Sequence, residues 1–269
     1  QAGKDQRWKD FLAVMPDEPN SIDLKCYYFR AVLAQGDKLA AWEGAERLWV
    51  HGESRPKQCD PLFKAWLQAG QISDEGVWAR LLKAFDARER SRMTYVARKG
   101  SAQLQPWSER LLAVYRKPAS LRDQSLPANN AYSAAIATHG LAYLARYNPA
   151  QARDFWQRFS TEQTFTPAQQ QQVEYAIALQ SLFSRTQANV DWLPGALTRL
   201  QDDKLVDIRL RWALREQDGE ALSSTLPLLS NEGREKAVWR YWQARYFSQT
   251  GEEARARELL QVLAGERDY

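Results

Sequence analysis

The chain has 269 residues, 44% hydrophobic and 26% charged, and its charges nearly cancel to a formal +4. That is enough apolar material for one large or two modest globular units with a sizeable core, under a surface too evenly balanced for a dedicated nucleic-acid binder. No stretch approaches the ~18 uninterrupted apolar residues of a membrane span, and even "NAYSAAIATHGLAYLARY" carries Asn, Ser, Thr, His and Arg.

The chain opens on "QAGKDQRWKD", without an initiating Met or an apolar leader core, and so reads as a mature chain or a piece of a longer one. Beyond it, apolar residues recur at three-and-four spacing almost everywhere, and alternating β-branched runs are nearly absent, which predicts an all-α protein. Residues 26–49 form the first helix pair, turning at Gly36-Asp37. Asp60 before Pro61 marks the next start, and the periodic runs that follow stop at Gly70 and Gly100, where left-handed helix ends are expected, as they are at Gly36 and Gly251. Residues 116–130, "RKPASLRDQSLPANN", are the weakest join. After it, "ATHGLAYLARYNPAQARDFWQRF" turns at Asn148-Pro149, and Thr166-Pro167-Ala168-Gln169 has the pattern of a capping box, so the Gln run 169–172 is the first turn of a helix. Val173, Ile177, Leu179, Leu182 and Phe183 continue that helix, and "VWRYWQARYFSQTGEEARARELLQVL" closes the series with a turn at Gly251.

Helix, short turn, helix thus repeats in units of roughly 25 to 35 residues, the range of helical-hairpin arrays. No Gly/Ser- or Pro-rich linker divides them, so residues 1–269 are expected to form one superhelical α-solenoid of antiparallel helix hairpins. Trp49, Trp66, Trp156, Trp212, Trp239 and Trp242 fall at helical spacing with other apolar residues and are read as packing between helices. The arginines of "WRYWQARYF" and "RLRWALR" alternate with acidic residues and are read as solvated faces, which disfavours nucleic acid as a partner.

Residues that carry chemistry are sparse. His51 and His139 are the two histidines, and neither stands at ligand spacing from another. There is no CxxC, HExxH, G-x-S-x-G, P-loop or Rossmann fingerprint, so no metal, nucleotide cofactor or nucleophilic triad is expected. Of the 33 Asp and Glu, those visible lie mostly on solvent faces or at helix starts.

Two blocks, "CYYFRAVLAQGDKLAAWEGAERLWVHGESRPKQCDPLFKAWLQAG" and "EKAVWRYWQARYFSQTGEEARARELL", resemble the helical region of the soluble lytic transglycosylases. The resemblance implies part of a U-shaped superhelix that is completed into a ring by a linker domain and carries a lysozyme-like catalytic domain. It implies a parent enzyme that cleaves the bond between N-acetylmuramic acid and N-acetylglucosamine, leaving a 1,6-anhydro end, by means of one glutamate that acts as acid and then as base. The implied partners are peptidoglycan glycan strands and the rest of the parent chain, and the implied location is the periplasm of Gram-negative bacteria.

The motifs of the family's catalytic domain are not found. The chain's one Glu-Ser, Glu53-Ser54, lies in a turn rich in Arg and Pro, and its methionines, Met15 in "AVMPD" and Met93 in "SRMTY", are in no Gly-Leu-Met-Gln. The expectation is therefore a scaffold fragment with no catalytic residue of its own; a stand-alone solenoid that binds protein partners is the alternative.

Cys26 and Cys59 stand 33 positions apart and leave a metal pair, a redox pair, a structural bridge or chance open. The hairpin selects among these: the chain rises from Cys26 to Gly36, returns through Trp49, and turns back by Asp60 to the starting end. A Cys26–Cys59 disulfide is expected, which in turn points to an oxidising compartment.

Overall fold

A computed structural model describes residues 1–265, and in it the chain divides into two compact units, Gln1–Gln124 and Ser125–Tyr269. The division falls inside the 116–130 join. Sixteen α-helices and four 3-10 turns make up the described residues, with no strand among them.

The first unit holds α1 (Trp8–Val14), α2 (Ile22–Ala34), α3 (Lys38–Trp49), α4 (Asp60–Gln68), α5 (Asp74–Asp86), α6 (Arg90–Ala97) and α7 (Gln105–Arg116). Helices α2 and α3 pack together across the Gly36 turn, as do α5 and α6 across theirs. Gly36 has φ 93°, and the Asp37 carboxylate accepts the Ala40 N–H to start α3. The two helices of the first pair approach closely because α3 offers Gly44 to Phe29 of α2. A Cβ at position 44 would lie 2.3 to 2.5 Å from three atoms of the Phe29 ring, which is itself 3% exposed. Gly44→Ala is therefore expected to destabilise the unit by about 1–3 kcal/mol, as overpacked cores do. Urea titration followed by tryptophan fluorescence checks this; an unchanged midpoint would mean that the pair can spread without loss.

The second unit holds α8 (Ala131–Ala145), α9 (Pro149–Glu162), α10 (Pro167–Ser184), α11 (Leu193–Leu200), α12 (Asp203–Glu216), α13 (Gly219–Thr225), α14 (Asn231–Arg234), α15 (Ala237–Gln249) and α16 (Glu253–Gly265). The expected caps are in place: Asn148 accepts the Gln151 N–H, and Thr166 and Gln169 bond reciprocally as a capping box. The alanine-rich α8 lies between α9 and α10 and is buried on most of its circumference, which accounts for its apolar composition without a membrane. Among the described residues no helix is long and apolar enough to cross one.

Five of the six tryptophans read as core are buried, and Trp242 is half-buried. Two details differ from the sequence expectation. Gly100 is not a left-handed helix end; it sits against Leu104, where a Cβ would collide with that side chain. Left-handed ends occur instead at Arg88, Arg185, Gln201 and Gln217, residues that carry side chains. Arg209 of "RLRWALR" is also not solvated: it is 6% exposed, with its guanidinium 4.7 Å from the Trp212 ring and 3.9 Å from Asp218.

One motif appears in both units. Asp74, the first residue of α5, accepts the backbone N–H (2.8 Å) and hydroxyl (2.5 Å) of Ser101, 27 residues on. Asp203, the first residue of α12, accepts the same two groups of Ser230, again 27 residues on, at 2.7 and 2.6 Å. Six residues after each aspartate stands a buried arginine, Arg80 or Arg209, and fourteen after it a left-handed residue, Arg88 or Gln217.

The side-chain and backbone bonds from Ser230 hold the Asp203 carboxyl below its ordinary value of 3.8. A depressed folded-state pKa contributes stability that is fully present above the unfolded value and is lost as pH falls through the folded one. The stability advantage of the native chain over Asp203→Asn is thus expected to be constant above pH 3.8 and to shrink below it. Urea midpoints of the two proteins across pH 2.5 to 6 check this; a gap independent of pH would show that the carboxylate charge plays no part.

Candidate functional site: a cationic cleft in the first unit

The Cys26–Cys59 disulfide joins α2 to the 3-10 turn Lys57–Cys59, with the Cα atoms 4.8 Å apart and both cysteines fully buried. Arg30 of α2 reinforces the tie by donating to the Gln58 carbonyl at 3.4 Å. The loop between α3 and α4 is thereby fixed at its far end. At its near end Arg55 donates through Nε to the Leu48 carbonyl at 2.9 Å. These anchors carry Ser54, Arg55 and Asp60 to the rim of a cleft of about 510 Å³.

The floor of the cleft is aromatic. Trp49, 2% exposed, meets Phe63 and Trp66 of α4 edge-on with ring centroids 5.6 and 5.7 Å away, and Tyr95 of α6 lies 6.3 Å from it. Over the Trp49 ring, 3.6 Å from its centroid, lies the Arg80 guanidinium of α5, a cation–π contact strengthened by desolvation. The walls add Arg55, Lys64, Arg92 and Lys99, so five cations face a single carboxylate, Asp60.

Arg80 is 4% exposed. Burial, with the nearby Arg92 and Arg55 charges, pushes its pKa down to about 10, while Tyr95 pulls the other way. It therefore remains charged at neutral pH. At the corresponding position of the other unit Arg209 has Asp218, whereas among the described residues no carboxylate pairs with Arg80. Arg92 donates through Nη2 to the Ser54 hydroxyl. Yet Arg80 Nε and Nη1, Arg92 Nε and Trp49 Nε1 are buried donors without an acceptor among the described residues.

The other candidates of the sequence do not converge. His51, half-buried, accepts the Glu53 N–H at 3.1 Å through Nδ1, and burial lowers its pKa. His139 lies in the other unit. Glu53 is exposed on the turn, and among the described residues no group of three His, Cys, Asp or Glu side chains could hold a metal ion. Sequence reasoning did not find the cleft. A signal for its central residue was present, since Arg80 stands on the apolar stripe of Val77, Leu81 and Ala84 rather than opposite it.

No protein-family model matches the chain. Over 264 residues, 97% of its length, it is 28% identical to the soluble lytic murein transglycosylase of Salmonella typhimurium. Among solved structures, the 70-kDa soluble lytic transglycosylase in complex with bulgecin A superposes on 99% of the chain with a TM-score of 0.81 and 27% identity. An inactive variant of the lytic transglycosylase Slt from Pseudomonas aeruginosa superposes with a TM-score of 0.80, also at 27% identity and over 99% of the chain. The resemblance carried by two sequence blocks thus extends over nearly the whole chain. The chain spans 41% of the curated relative and 43 to 44% of the two solved chains.

Proposed function

We propose that the chain, similar throughout to soluble lytic transglycosylases, is the helical scaffold of a periplasmic enzyme that cleaves the glycan strands of peptidoglycan. It supports the linker and catalytic domains and helps to position the strand. The likeness over 97% of this chain and 41% of its relative carries this reading, because it places the whole chain on one contiguous portion of a larger enzyme. The disulfide fits an oxidising compartment.

The scaffold contributes no acid or base. Strand cleavage of this type needs a glutamate kept protonated in a groove that grips sugars on both sides of the bond. Glu53 is exposed in the bend between α3 and α4, so it is suited to neither.

The test is incubation of sacculi with the purified chain, with chromatography and mass spectrometry of what is released. No anhydro-ended muropeptide above a heat-treated control is expected, together with weak sacculus binding that falls as salt rises, because most of the charges are exposed. Turnover that disappears on substituting a glutamate of this chain would overturn the scaffold role, as would failure to bind sacculi at low salt.

A further inference from the structure

We infer that the cleft between α3, α4, α5 and α6 is a binding site for an oxyanion, a carboxylate or phosphate with two available oxygens, carried on a small and partly apolar body. Three residues that line it hold four buried N–H groups, two on Arg80, one on Arg92 and one on Trp49, all donors and none with an acceptor among the described residues. Buried polar groups in folded proteins are nearly always paired, so an unpaired set confined to donors at one place calls for a guest rich in acceptors. Taken with Nη2, either of these Arg80 donors completes a guanidinium fork that matches the two oxygens of a carboxylate or phosphate.

The charge distribution agrees. Five cations against Asp60 leave the cleft strongly positive, while the chain as a whole is nearly balanced. The repeated motif sharpens the comparison, because Arg209 has a carboxylate of its own chain and Arg80 has none. Phe63, Leu67 and Tyr95 offer apolar wall to the rest of the guest. The loop bearing Ser54 and Arg55, which leads into Asp60 of α4, is anchored at both ends, so the site is held in place before anything binds.

If the chain has the cell-wall role proposed above, the carboxylates of peptidoglycan stem peptides are the source of this anion; that step rests on the role, and the oxyanion site does not. Calorimetric titration of the whole chain separates the two. One arm uses inorganic phosphate, a second a disaccharide–tetrapeptide muropeptide, and a third the uncharged disaccharide of two N-acetylglucosamines. Binding of at least one acidic probe is expected, with the uncharged disaccharide silent. Arg92→Gln and the paired Lys64→Gln, Lys99→Gln change should each weaken it tenfold or more. Arg80→Gln should abolish it, and the rim variants, whose side chains are half-buried or exposed, keep the result readable if that substitution impairs folding.

Muropeptide binding supports the site and its stem-peptide source. Binding of phosphate alone supports the site and removes that source. Binding of neither acidic probe, or rim variants that bind as the native chain does, overturns the site. Sacculus sedimentation is read separately: loss of sacculus binding in the native chain would count against the scaffold role while leaving phosphate titration as the test of the cleft.

Discussion

Replacing both Cys26 and Cys59 with alanine is expected to lower the free energy of unfolding by about 3 to 4 kcal/mol. The bridge closes a loop with a sequence separation of 33. On the chain-entropy model that closure removes this much conformational freedom from the unfolded ensemble. Alanine is the appropriate replacement, because both sites are fully buried and a serine hydroxyl would add the separate cost of an unpaired polar group. The burial also sets the conditions for reduction. Dithiothreitol alone should leave the native bridge intact over hours, whereas dithiothreitol with denaturant should release two thiols. Urea titration of the native and double-alanine proteins measures the difference; a loss below about 1 kcal/mol would mean that the unfolded chain is already restrained over this stretch.

Trp49→Ala is expected to be of similar or greater effect, about 3–5 kcal/mol, the usual range for deleting a large buried aromatic. The indole supports Phe63 and Trp66 and is the surface on which the Arg80 guanidinium rests. Its removal leaves a cavity and also a buried charge without its aromatic partner. A double-mutant cycle of Trp49→Leu with Arg80→Met isolates the second part, for which a coupling of about 1–2 kcal/mol is expected from a desolvated cation–π pair. Additive effects would show that the guanidinium draws nothing from the ring beyond simple filling of space.

What was legible in the sequence, and what was not, divides along physical lines. Local chemistry could be read directly. Asn148 and Thr166 cap because their side chains reach backbone N–H groups three residues away, and that relation is present in any stretch of sequence. Helix ends at Gly36, Gly70 and Gly251 follow from glycine's freedom at positive φ. The ends at Arg88, Arg185, Gln201 and Gln217 do not, because residues with these side chains disfavour positive φ and nothing in their local sequence marks the turn. The Cys26–Cys59 pair lay within reach of inference because one hairpin returns the chain to its start. The cleft did not: Trp49, Phe63, Arg80 and Arg92 come from four helices, and nothing local to any of them announces the others. The arginines of "RLRWALR" read as a solvated face because positive charges alternate with acidic ones in the sequence, a pattern blind to which ring lies beneath. Arg80 and Arg209 are buried because each lies over a tryptophan ring, at Trp49 and Trp212.

The paired Asp74–Ser101 and Asp203–Ser230 bonds act as a ruler. Each carboxylate grips the backbone and the hydroxyl of a residue 27 places away, so one residue gained or lost in between would present the wrong group to it. Evolution can lengthen a loop cheaply only where the backbone is free of such bonds. When diverged sequences of this kind are aligned, insertions and deletions should accordingly be missing from residues 74–101 and 203–230 and gather in stretches that no such pair of bonds spans. The two intervals would then serve as fixed landmarks for placing more distant homologues.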